Sequence, residues 1–244
     1  MVTKMKRFDP EPQYTLTGPT YFMGDVHGDY DLVEADLYTR DYTPGNLILL
    51  GDIGLGFCFK EVDKTRQFYD FCDRLGKLGW TVYAVRGNHD RPAEWRCAPN
   101  AVKVEGFPRL LKDNTTLTIN DHLFYVTGGG VSLDRHLRYP GTSWWEDEPM
   151  YMPPEAVKEL KGKVYGVLSH VGPLPTGMVP LSTSDSGLEQ DLEREMVQVR
   201  RILKMKPRKW FYGHYHRDDF RLVDDTDCIC LGIRSLYPFL DYGM

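Results

Sequence analysis

The stretch TYFMGDVHG, residues 20–28, is a short uncharged run that ends in a polar loop. Its first four residues are followed at once by Gly24, Asp25, Val26 and His27. A run of this length that is bounded by a turn signal is typical of a buried strand. We therefore predict a strand here, with Asp25 and His27 in the loop that leaves its end.

The same arrangement recurs four times along the chain. The later copies are NLILLGDIG (46–54), TVYAVRGNHD (81–90), VYGVLSHVGP (164–173) and KWFYGHYH (209–216). Helical patterns lie among them, over Asp31–Arg40, Val62–Leu78 and Leu188–Lys204. Alternating strands and helices predict a mixed sheet covered by helices, with the polar loops gathered at one edge of that sheet.

Two further segments have a different pattern. Thr116–Gly130 and Phe220–Ile233 resemble strands that are joined by short Asn, Asp and Thr turns. They predict a second sheet packed on the first, so the fold class is α/β (α+β), with two mixed β-sheets flanked by helices. A chain of 244 residues without a Ser, Gly or Pro linker predicts a single domain over residues 1–244.

Composition excludes several classes of protein. A net charge of −5 argues against a protein that coats nucleic acid by bulk electrostatics. No apolar stretch approaches the roughly 18 residues that a membrane span needs, and no apolar run follows the basic N-terminal residues. We therefore expect no membrane contact and a cytoplasmic location. The five cysteines lack CxxC spacing, which favours neither a disulfide framework nor a thiolate zinc site.

The polar loops supply a set of candidate metal ligands. Asp25 and His27 are two residues apart, so at an extended strand end they project to the same side, and His214 and His216 repeat this spacing. The whole set is Asp25, His27, Asp52, Asn88, His170, His214 and His216. Carboxylate, amide and imidazole ligands without thiolate suit Mn, Fe, Zn, Co or Ni at a catalytic site. Two such ions about 3.5 to 4 Å apart would favour phosphoryl displacement.

In this order, GDVHG, GDIG, GNHD, SHVGP and GHYH resemble the motifs of the calcineurin-like metallophosphoesterase family. The resemblance spans residues 24–216 and implies a four-layer αββα sandwich, the metallo-dependent phosphatase fold. It also implies two divalent metal ions, with Mn as the first candidate, and phosphoester hydrolysis by a hydroxide that bridges them. One ion would be held by Asp25, His27, Asp52 and His216, and the other by Asp52, Asn88, His170 and His214. His89 would act on the leaving oxygen or the phosphoryl group, and Asp90 would orient His89.

The second motif departs from that of the family's phosphoprotein phosphatases. GDIGLGF lacks the arginine of their GDxVDRG pattern, and GNHD stands where they have GNHE. A bidentate arginine is a principal means of holding a phosphomonoester dianion. Its absence favours a phosphodiesterase, whose monoanionic substrate needs less positive charge, acting on a nucleotide or on a nucleic-acid end.

Two loops are candidates for substrate contact. In the segment 128–150, Arg135 and Arg138 could contact a phosphate, and Trp144 and Trp145 could stack on a nucleobase. The alternative is that both tryptophans pack the segment onto the core. The loop 172–187 follows His170 directly and is a movable rim or an ordered surface loop.

Two other functions remain open at this point. The first is a phosphomonoesterase for nucleotides, small molecules or phosphoproteins, in which Arg135 or Arg138 replaces the absent family arginine. The second is a catalytically inactive binding or scaffold protein with this fold, against which the complete ligand set argues.

Overall fold

The computed structural model describes residues 11–59, 62–99, 104–179 and 183–240. Within these ranges, five helices separate fourteen strands. The helices are α1 (Tyr30–Thr39), α2 (Thr65–Lys77), α3 (Pro92–Cys97), α4 (Pro154–Leu160) and α5 (Ser186–Leu203). The strands are β1 (Pro12–Leu16), β2 (Thr20–Met23), β3 (Asn46–Leu49), β4 (Cys58–Phe59), β5 (Val62–Asp63), β6 (Thr81–Ala84), β7 (Arg109–Leu110), β8 (Thr115–Ile119), β9 (His122–Thr127), β10 (Gly166–Ser169), β11 (Lys209–Tyr212), β12 (Asp219–Val223), β13 (Thr226–Cys230) and β14 (Leu236–Phe239).

Most strands belong to two mixed sheets. One has the order β14-β2-β3-β6-β7 and the other the order β1-β8-β9-β10-β11-β13-β12. The central strands β2, β3 and β6 run parallel to one another, and so do β9, β10 and β11. The carboxyl ends of each parallel group therefore meet at one edge of its sheet, which is where the polar loops begin.

Successive side chains of a strand point to opposite faces of its sheet, and this alternation builds the four layers of the sandwich. On β2, Phe22 packs between the sheets, where its ring centroid lies 4.3 Å from that of Phe211 on β11. Its neighbour Met23 points the other way, into the cluster that α1 and α2 cover. The outer face of the seven-stranded sheet packs in the same manner against α4 and α5. Because both faces of the central strands β2, β3 and β10 are buried, these strands read as largely uncharged runs. The predicted sandwich of two sheets flanked by helices is confirmed.

One expectation about the sheets is wrong. The five motif strands do not share a sheet, since β2, β3 and β6 lie in the five-stranded sheet, whereas β10 and β11 lie in the seven-stranded sheet. In that second sheet they pair with β9 and β13, which come from the segments predicted to form it. Apolar periodicity identifies a strand but not its partner. The polar loops consequently converge from two sheets.

The helix predicted from Val62 begins later, at Thr65. Val62–Asp63 instead pairs with Cys58–Phe59 as a two-stranded ribbon. The side chain of Asp63 accepts a hydrogen bond from the backbone nitrogen of Thr65 at 2.8 Å, so it occupies the turn that precedes the helix.

The helix α5 is the longest in the described ranges, with 18 residues. It begins after Asp185, whose carboxylate accepts hydrogen bonds from the backbone nitrogens of Gly187 and Leu188 at 3.0 and 2.9 Å. Its buried face includes Glu195, which lies under the loop that follows β9. None of the helices in the part of the chain that the structure describes is long and apolar enough to cross a membrane.

Candidate metal centre and active site

The first cluster of ligand atoms gathers where the two sheets meet. Asp25, His27, Asp52 and His216 each place one ligand atom within 4.8 Å of the others. Nε2 of His27 lies 2.9 Å from Nε2 of His216, which in turn lies 3.2 Å from Oδ2 of Asp25. Both carboxylates are buried, whereas His27 and His216 are partly exposed. The cluster is thus open to solvent on its histidine side.

A second cluster adjoins the first and shares Asp52 with it. Oδ1 of Asn88 lies 2.9 Å from Nε2 of His170 and 3.1 Å from Nδ1 of His214. The two ring nitrogens are 3.3 Å apart, and Oδ1 of Asp52 lies 3.2 Å from Nε2 of His170. These are the four residues that the resemblance assigned to a second ion.

The donor atoms of both clusters fit cations. Atoms bound at about 2.1 Å to one ion and at right angles to each other lie about 3 Å apart, as these do. Two neutral imidazole nitrogens that face each other at 2.9 Å repel unless a proton or a cation lies between them. In addition, Oδ2 of Asp25 is buried and makes no hydrogen bond. A cation would satisfy this oxygen and the facing nitrogens together.

Four of the candidate ligand residues have a strained backbone conformation. His27, Asp52, His214 and His216 have φ angles of 49°, 49°, 69° and 53°, a region that side chains other than glycine rarely adopt. Such strain persists where the surrounding structure imposes it, and it is typical of functional sites. Here it turns each side chain back toward the shared centre.

Two motif glycines leave room for the carboxylates. A Cβ atom on Gly87 would lie 2.1 Å from Oδ1 of Asp52, and one on Gly213 would lie 2.2 Å from Oδ1 of Asp25. Any larger residue would therefore displace a candidate ligand. Glycine at these two positions therefore clears space beside the candidate ligands.

His89 lies beside both clusters. Its backbone nitrogen donates to Oδ1 of Asp52 at 2.8 Å, while its ring stacks on Phe57 with centroids 4.8 Å apart. Nη2 of Arg138 donates to Nε2 of His89 at 2.6 Å, because a guanidinium can only donate. Burial lowers the pKa of His89 to about 4, against the Asp52 carboxylate and with help from the Arg138 charge. The imidazole is therefore neutral in this state.

Asp90 holds the loops around His89 together. Its buried carboxylate accepts backbone hydrogen bonds from Gly87 at 2.7 Å, Gly54 at 2.8 Å and Leu55 at 3.1 Å. Burial, and the nearby Asp52 charge, raise the pKa of Asp90 to about 6. The carboxylate thus ties the second motif to the third through their backbones.

The buried charges of the centre are strongly coupled. Although burial works the other way, the Asp52 and Asp25 carboxylates raise the pKa of His170 to about 10. Conversely, His170 and His89 outweigh the effect of burial and hold the pKa of Asp52 well below its usual range. The two carboxylates therefore create a field that favours positive charge at the centre.

Of the four side chains predicted to contact substrate, the structure brings Arg138 to the centre. Its guanidinium is 4% exposed, contacts His89, and lies 2.6 Å from Oδ1 of Asp134. Arg135 instead pairs with Asp191 at 2.8 Å and with Asp185 at 3.0 Å, which ties its loop to α5. Trp144 and Trp145 are half-buried and line a cavity beside the centre.

The loop 172–187 is tied to β11 and the residues that follow it. The hydroxyl of Tyr212 donates to the carbonyl oxygen of Pro173 at 2.8 Å, and that of Tyr215 donates to the carbonyl oxygen of Gly172 at 2.9 Å. Residues 180–182 lie outside the described ranges. The role of a movable rim stays a prediction.

Sequence reasoning missed several residues that support the centre. Ser132 accepts hydrogen bonds from Nδ2 of Asn88 at 3.1 Å and from Nη1 of Arg138 at 2.8 Å, which turns the Asn88 oxygen toward the ligands. Phe57 and Arg86 also escaped notice; Arg86 is buried and binds the carbonyl oxygens of Glu148 and Gly128. A lone serine or phenylalanine carries no sequence signal for such a role.

Two further residues of this kind are the buried carboxylates Glu148 and Glu195. They accept the backbone hydrogens of Ser132 and Val131, each at 2.8 Å. These bonds hold the loop that follows β9 against α5. Of the two, only Glu195 has a sequence signal for this role, because it is a glutamate on the buried face of an amphipathic helix.

We expect Glu195→Gln to become more stable relative to the wild type as the pH rises. Burial raises the pKa of Glu195 from 4.5 to about 7, so between these values the folded chain binds a proton that the unfolded chain has lost. The stability that Glu195 contributes is therefore complete below pH 4.5 and is lost as the pH rises through about 7. The resulting change in the free energy of unfolding of Glu195→Gln relative to the wild type should approach ~3 kcal/mol, since one pKa unit corresponds to about 1.4 kcal/mol.

Urea unfolding of the metal-free protein at several pH values measures this difference. Glu193→Gln is the matched control, since Glu193 is exposed on the same helix. A stability difference between Glu195→Gln and the wild type that does not change with pH would contradict the prediction.

Comparison with known proteins agrees with this geometry. Residues 18–218 match the family described as calcineurin-like phosphoesterase. Among solved structures, the chain resembles a putative 5'-nucleotidase from Staphylococcus aureus, with 17% identity and a TM-score of 0.53 over 90% of this chain. The match covers 50% of the 5'-nucleotidase chain, so this chain spans half the length of that protein.

Two weaker structural matches are a phosphopantetheinyl hydrolase from Mycobacterium tuberculosis and GAP50 of Plasmodium. The first has 13% identity and a TM-score of 0.43, covering 94% of this chain and 99% of the other. The second has 12% identity and a TM-score of 0.46, covering 88% and 71%. No curated protein matches the chain. The match over residues 18–218 shows that the chain belongs to the calcineurin-like phosphoesterase family, the metal-dependent phosphoester hydrolases whose motifs its sequence carries.

Proposed function

We propose that the protein is a phosphodiesterase that acts on a nucleotide or a nucleic-acid end and uses two divalent cations, with Mn²⁺ as the first candidate. The observation that carries the proposal is the position of Arg138, which contacts His89 and is at the same time paired with Asp134. The absence of thiolate among the ligand residues supports a metal of the Mn, Fe, Zn, Co or Ni group.

The two clusters would hold one ion each, with Asp52 between them. Asp25, His27 and His216 complete the first set. Asn88, His170 and His214 complete the second set. When bound, the ions would supply Lewis acidity at the phosphate and make a water acidic enough to attack phosphorus. The protein's own part is to orient the ester and to protonate the leaving oxygen.

His89 and Arg138 lie where they can orient the ester and protonate the leaving oxygen. A phosphoryl oxygen is a stronger acceptor than a neutral imidazole, so Arg138 can transfer its hydrogen bond from Nε2 of His89 to the substrate. Nε2 of His89, no longer facing the guanidinium that helps to lower its pKa, would then take up a proton from water and pass it to the leaving oxygen. Asp90 would keep His89 in place through the backbone bonds that join the second and third motifs.

Charge favours a diester as the substrate. Two divalent ions, Asp25, Asp52 and one hydroxide leave a single positive charge, and the pairing of Arg138 with Asp134 adds none. A diester monoanion balances this charge, whereas a monoester dianion exceeds it. Arg135 cannot make up the difference at its present position, because two carboxylates already hold its guanidinium.

A comparison of two substrates tests the proposal. With Mn²⁺ bound, the enzyme should hydrolyse bis-p-nitrophenyl phosphate with a higher kcat/KM than p-nitrophenyl phosphate. A clear preference for p-nitrophenyl phosphate would overturn the diesterase assignment while leaving the family assignment intact.

Asp134→Asn should narrow this preference. The change removes the charge that neutralises Arg138, so kcat/KM for p-nitrophenyl phosphate should rise about tenfold, in line with one charge-assisted contact. The value of kcat/KM for the diester, whose binding needs no added charge, should change much less. Asp147→Asn is the matched control, because Asp147 belongs to the same segment and pairs with Arg96. Equal effects of Asp134→Asn on the two substrates would contradict this account.

The second candidate is a phosphomonoesterase, which the exposure of Asp134 favours. Its side chain is 51% exposed, whereas that of Arg138 is 4% exposed, so the carboxylate can move into solvent and leave the guanidinium in place. Arg138 would then hold a phosphomonoester dianion in place of the arginine of the GDxVDRG pattern, which this chain lacks. In that case the wild type already prefers the monoester, and Asp134→Asn changes little.

A further inference from the structure

A cavity lies between the tryptophan pair and α5. Its volume is about 350 Å³, and its walls include Val131, Arg135, Trp144, Trp145, Glu148 and Asp191. Its walls thus combine two indole rings with several charged groups. This combination of flat apolar surface with a few polar atoms is typical of a site for a small planar ligand.

Glu148 lines this cavity and carries a hydrogen-bond acceptor that has no partner. The residue is 1% exposed, and its Oε1 accepts the backbone hydrogen of Ser132 at 2.8 Å. Its other oxygen, Oε2, is buried and makes no hydrogen bond. A buried carboxylate oxygen without a donor is costly, so a ligand that brings one stabilises the site.

Of the other charged groups of the cavity, Arg135, Asp191 and Arg194 are already paired, and Glu146 is exposed. Arg135 contacts Asp191 at 2.8 Å, and Asp191 also contacts Arg194 at 3.2 Å on the same helix. They therefore offer no net charge for an anion. What the cavity lacks is a donor for Glu148, which a neutral ring that bears an N–H group would supply.

The cavity is joined to the catalytic centre by two routes. The ring of Trp145 lies 6.2 Å from that of Phe57, and Phe57 stacks on His89 at 4.8 Å. Ser132 provides the second route, because its backbone nitrogen binds Glu148 and its hydroxyl binds Arg138. Because Glu148 of the cavity and Arg138 of the centre both bind Ser132, we expect a nucleotide to reach from one to the other.

We propose that this cavity binds the base of the substrate and that Glu148 selects bases that present an amino group, namely cytosine, adenine and guanine. The inference rests on the proposed nucleotide function and deepens it. Trp144 and Trp145 would hold any base by stacking, which tolerates every base because each has a π face. Oε2 of Glu148 would accept from the amino group and disfavour a carbonyl at that position.

Inhibition by CMP and UMP tests the selection, since their bases differ in an amino group against a carbonyl. With bis-p-nitrophenyl phosphate as the substrate and Mn²⁺ bound, the wild type should bind CMP at least tenfold more tightly than UMP. Burial raises the pKa of Glu148 to about 7, so the assay is run near pH 8, where the carboxylate is ionised.

Glu148→Gln should reverse the order. The amide oxygen can keep the bond to Ser132 N, and the amide nitrogen then takes the place of Oε2 as a donor that suits a carbonyl. UMP should therefore become the tighter inhibitor. Glu155→Gln removes the same charge from an exposed position on α4 and should leave the ratio of the two inhibition constants unchanged.

Trp144→Leu provides a second variant that does not alter Glu148. It should weaken both nucleotides about tenfold without changing their ratio, because stacking on indole contributes about 1 to 3 kcal/mol per base. Quenching of tryptophan fluorescence by CMP and UMP in the metal-free protein gives a readout that needs no catalysis.

The outcomes separate this inference from the proposed function. Hydrolysis of the diester together with equal inhibition by CMP and UMP, unchanged in Glu148→Gln, would overturn the base site and leave the phosphodiesterase standing. Absence of diester hydrolysis would overturn the proposed function. The fluorescence measurement would then decide the base site, with equal quenching by both nucleotides counting against it.

Discussion

Asp52→Asn is expected to reduce diester hydrolysis to the detection limit and to lower the metal content of the protein. Asp52 lies between the two clusters, with Oδ1 3.2 Å from Nε2 of His170 and Oδ2 3.9 Å from Nε2 of His27. An amide at this position loses the negative charge that both proposed ions would share. It also weakens the acceptor of the His89 backbone hydrogen. Binding and orientation are therefore damaged together.

His89→Ala should behave differently. His89 stands outside both ligand sets, so the metal content should stay at the wild-type level. Activity should fall about 10² to 10⁴-fold, which is the usual contribution of a positioned proton donor. Elemental analysis of the purified variants, alongside kcat and KM for bis-p-nitrophenyl phosphate, compares the two changes.

Asp70→Asn is the matched control for Asp52→Asn, because Asp70 is an exposed carboxylate on α2. It should alter neither metal content nor rate. Equal metal content and equal residual activity in Asp52→Asn and His89→Ala would refute the division of roles between a shared ligand and a group outside the ligand sets.

The candidate ligand residues could be predicted from the sequence because each lies in the loop that leaves a strand. A parallel strand that is buried on both faces reads as an apolar run, and its carboxyl end is marked by the first polar residues. Gly87 and Gly213 strengthen the signal, since a side chain at either position would collide with Asp52 or Asp25. Local chemistry thus specifies where each ligand lies along the chain.

The pairing of strands and the contacts of loops could not be predicted in this way, because local chemistry does not specify them. The sequence does not specify that β10 pairs with β9 instead of with β3, because this depends on contacts between distant residues. Arg135 and Arg138 are equally basic, yet a turn of 3-10 helix over residues 135–137 directs them to different partners. Ser132 and Glu148 act through single hydrogen bonds that no spacing pattern marks.

Arg138→Lys is expected to lower kcat/KM for the diester by about 10 to 100-fold. Arg138 uses two nitrogens at once, since Nη1 donates to Ser132 and Nη2 donates to His89, each within 2.8 Å. Lysine keeps the charge but has one nitrogen, so it cannot hold both contacts. The loss of one charge-assisted hydrogen bond, about 1.5 to 3 kcal/mol, corresponds to this range.

The division of the effect between kcat and KM tells how Arg138 acts. If the guanidinium holds the phosphate equally in the ground state and in the transition state, Arg138→Lys raises KM and leaves kcat unchanged. Our proposal instead has Arg138 leave His89 for the phosphoryl oxygen as the leaving oxygen departs, so kcat should carry most of the loss. Arg138→Met, which removes both donors and the charge, should then fall further in kcat than Arg138→Lys.

A purely structural role for Arg138 would give another pattern. The side chain is buried with its guanidinium 5.6 Å from the Phe57 ring, so either change can also lower the melting temperature. Arg74→Lys controls for this, because Arg74 binds Glu34 and Asp31 where α1 meets α2. A bound metal can restore bulk stability, but it cannot replace the second nitrogen of Arg138, which donates to Ser132 or His89. Full kcat in a folded, metal-loaded Arg138→Lys would therefore remove Arg138 from the reaction.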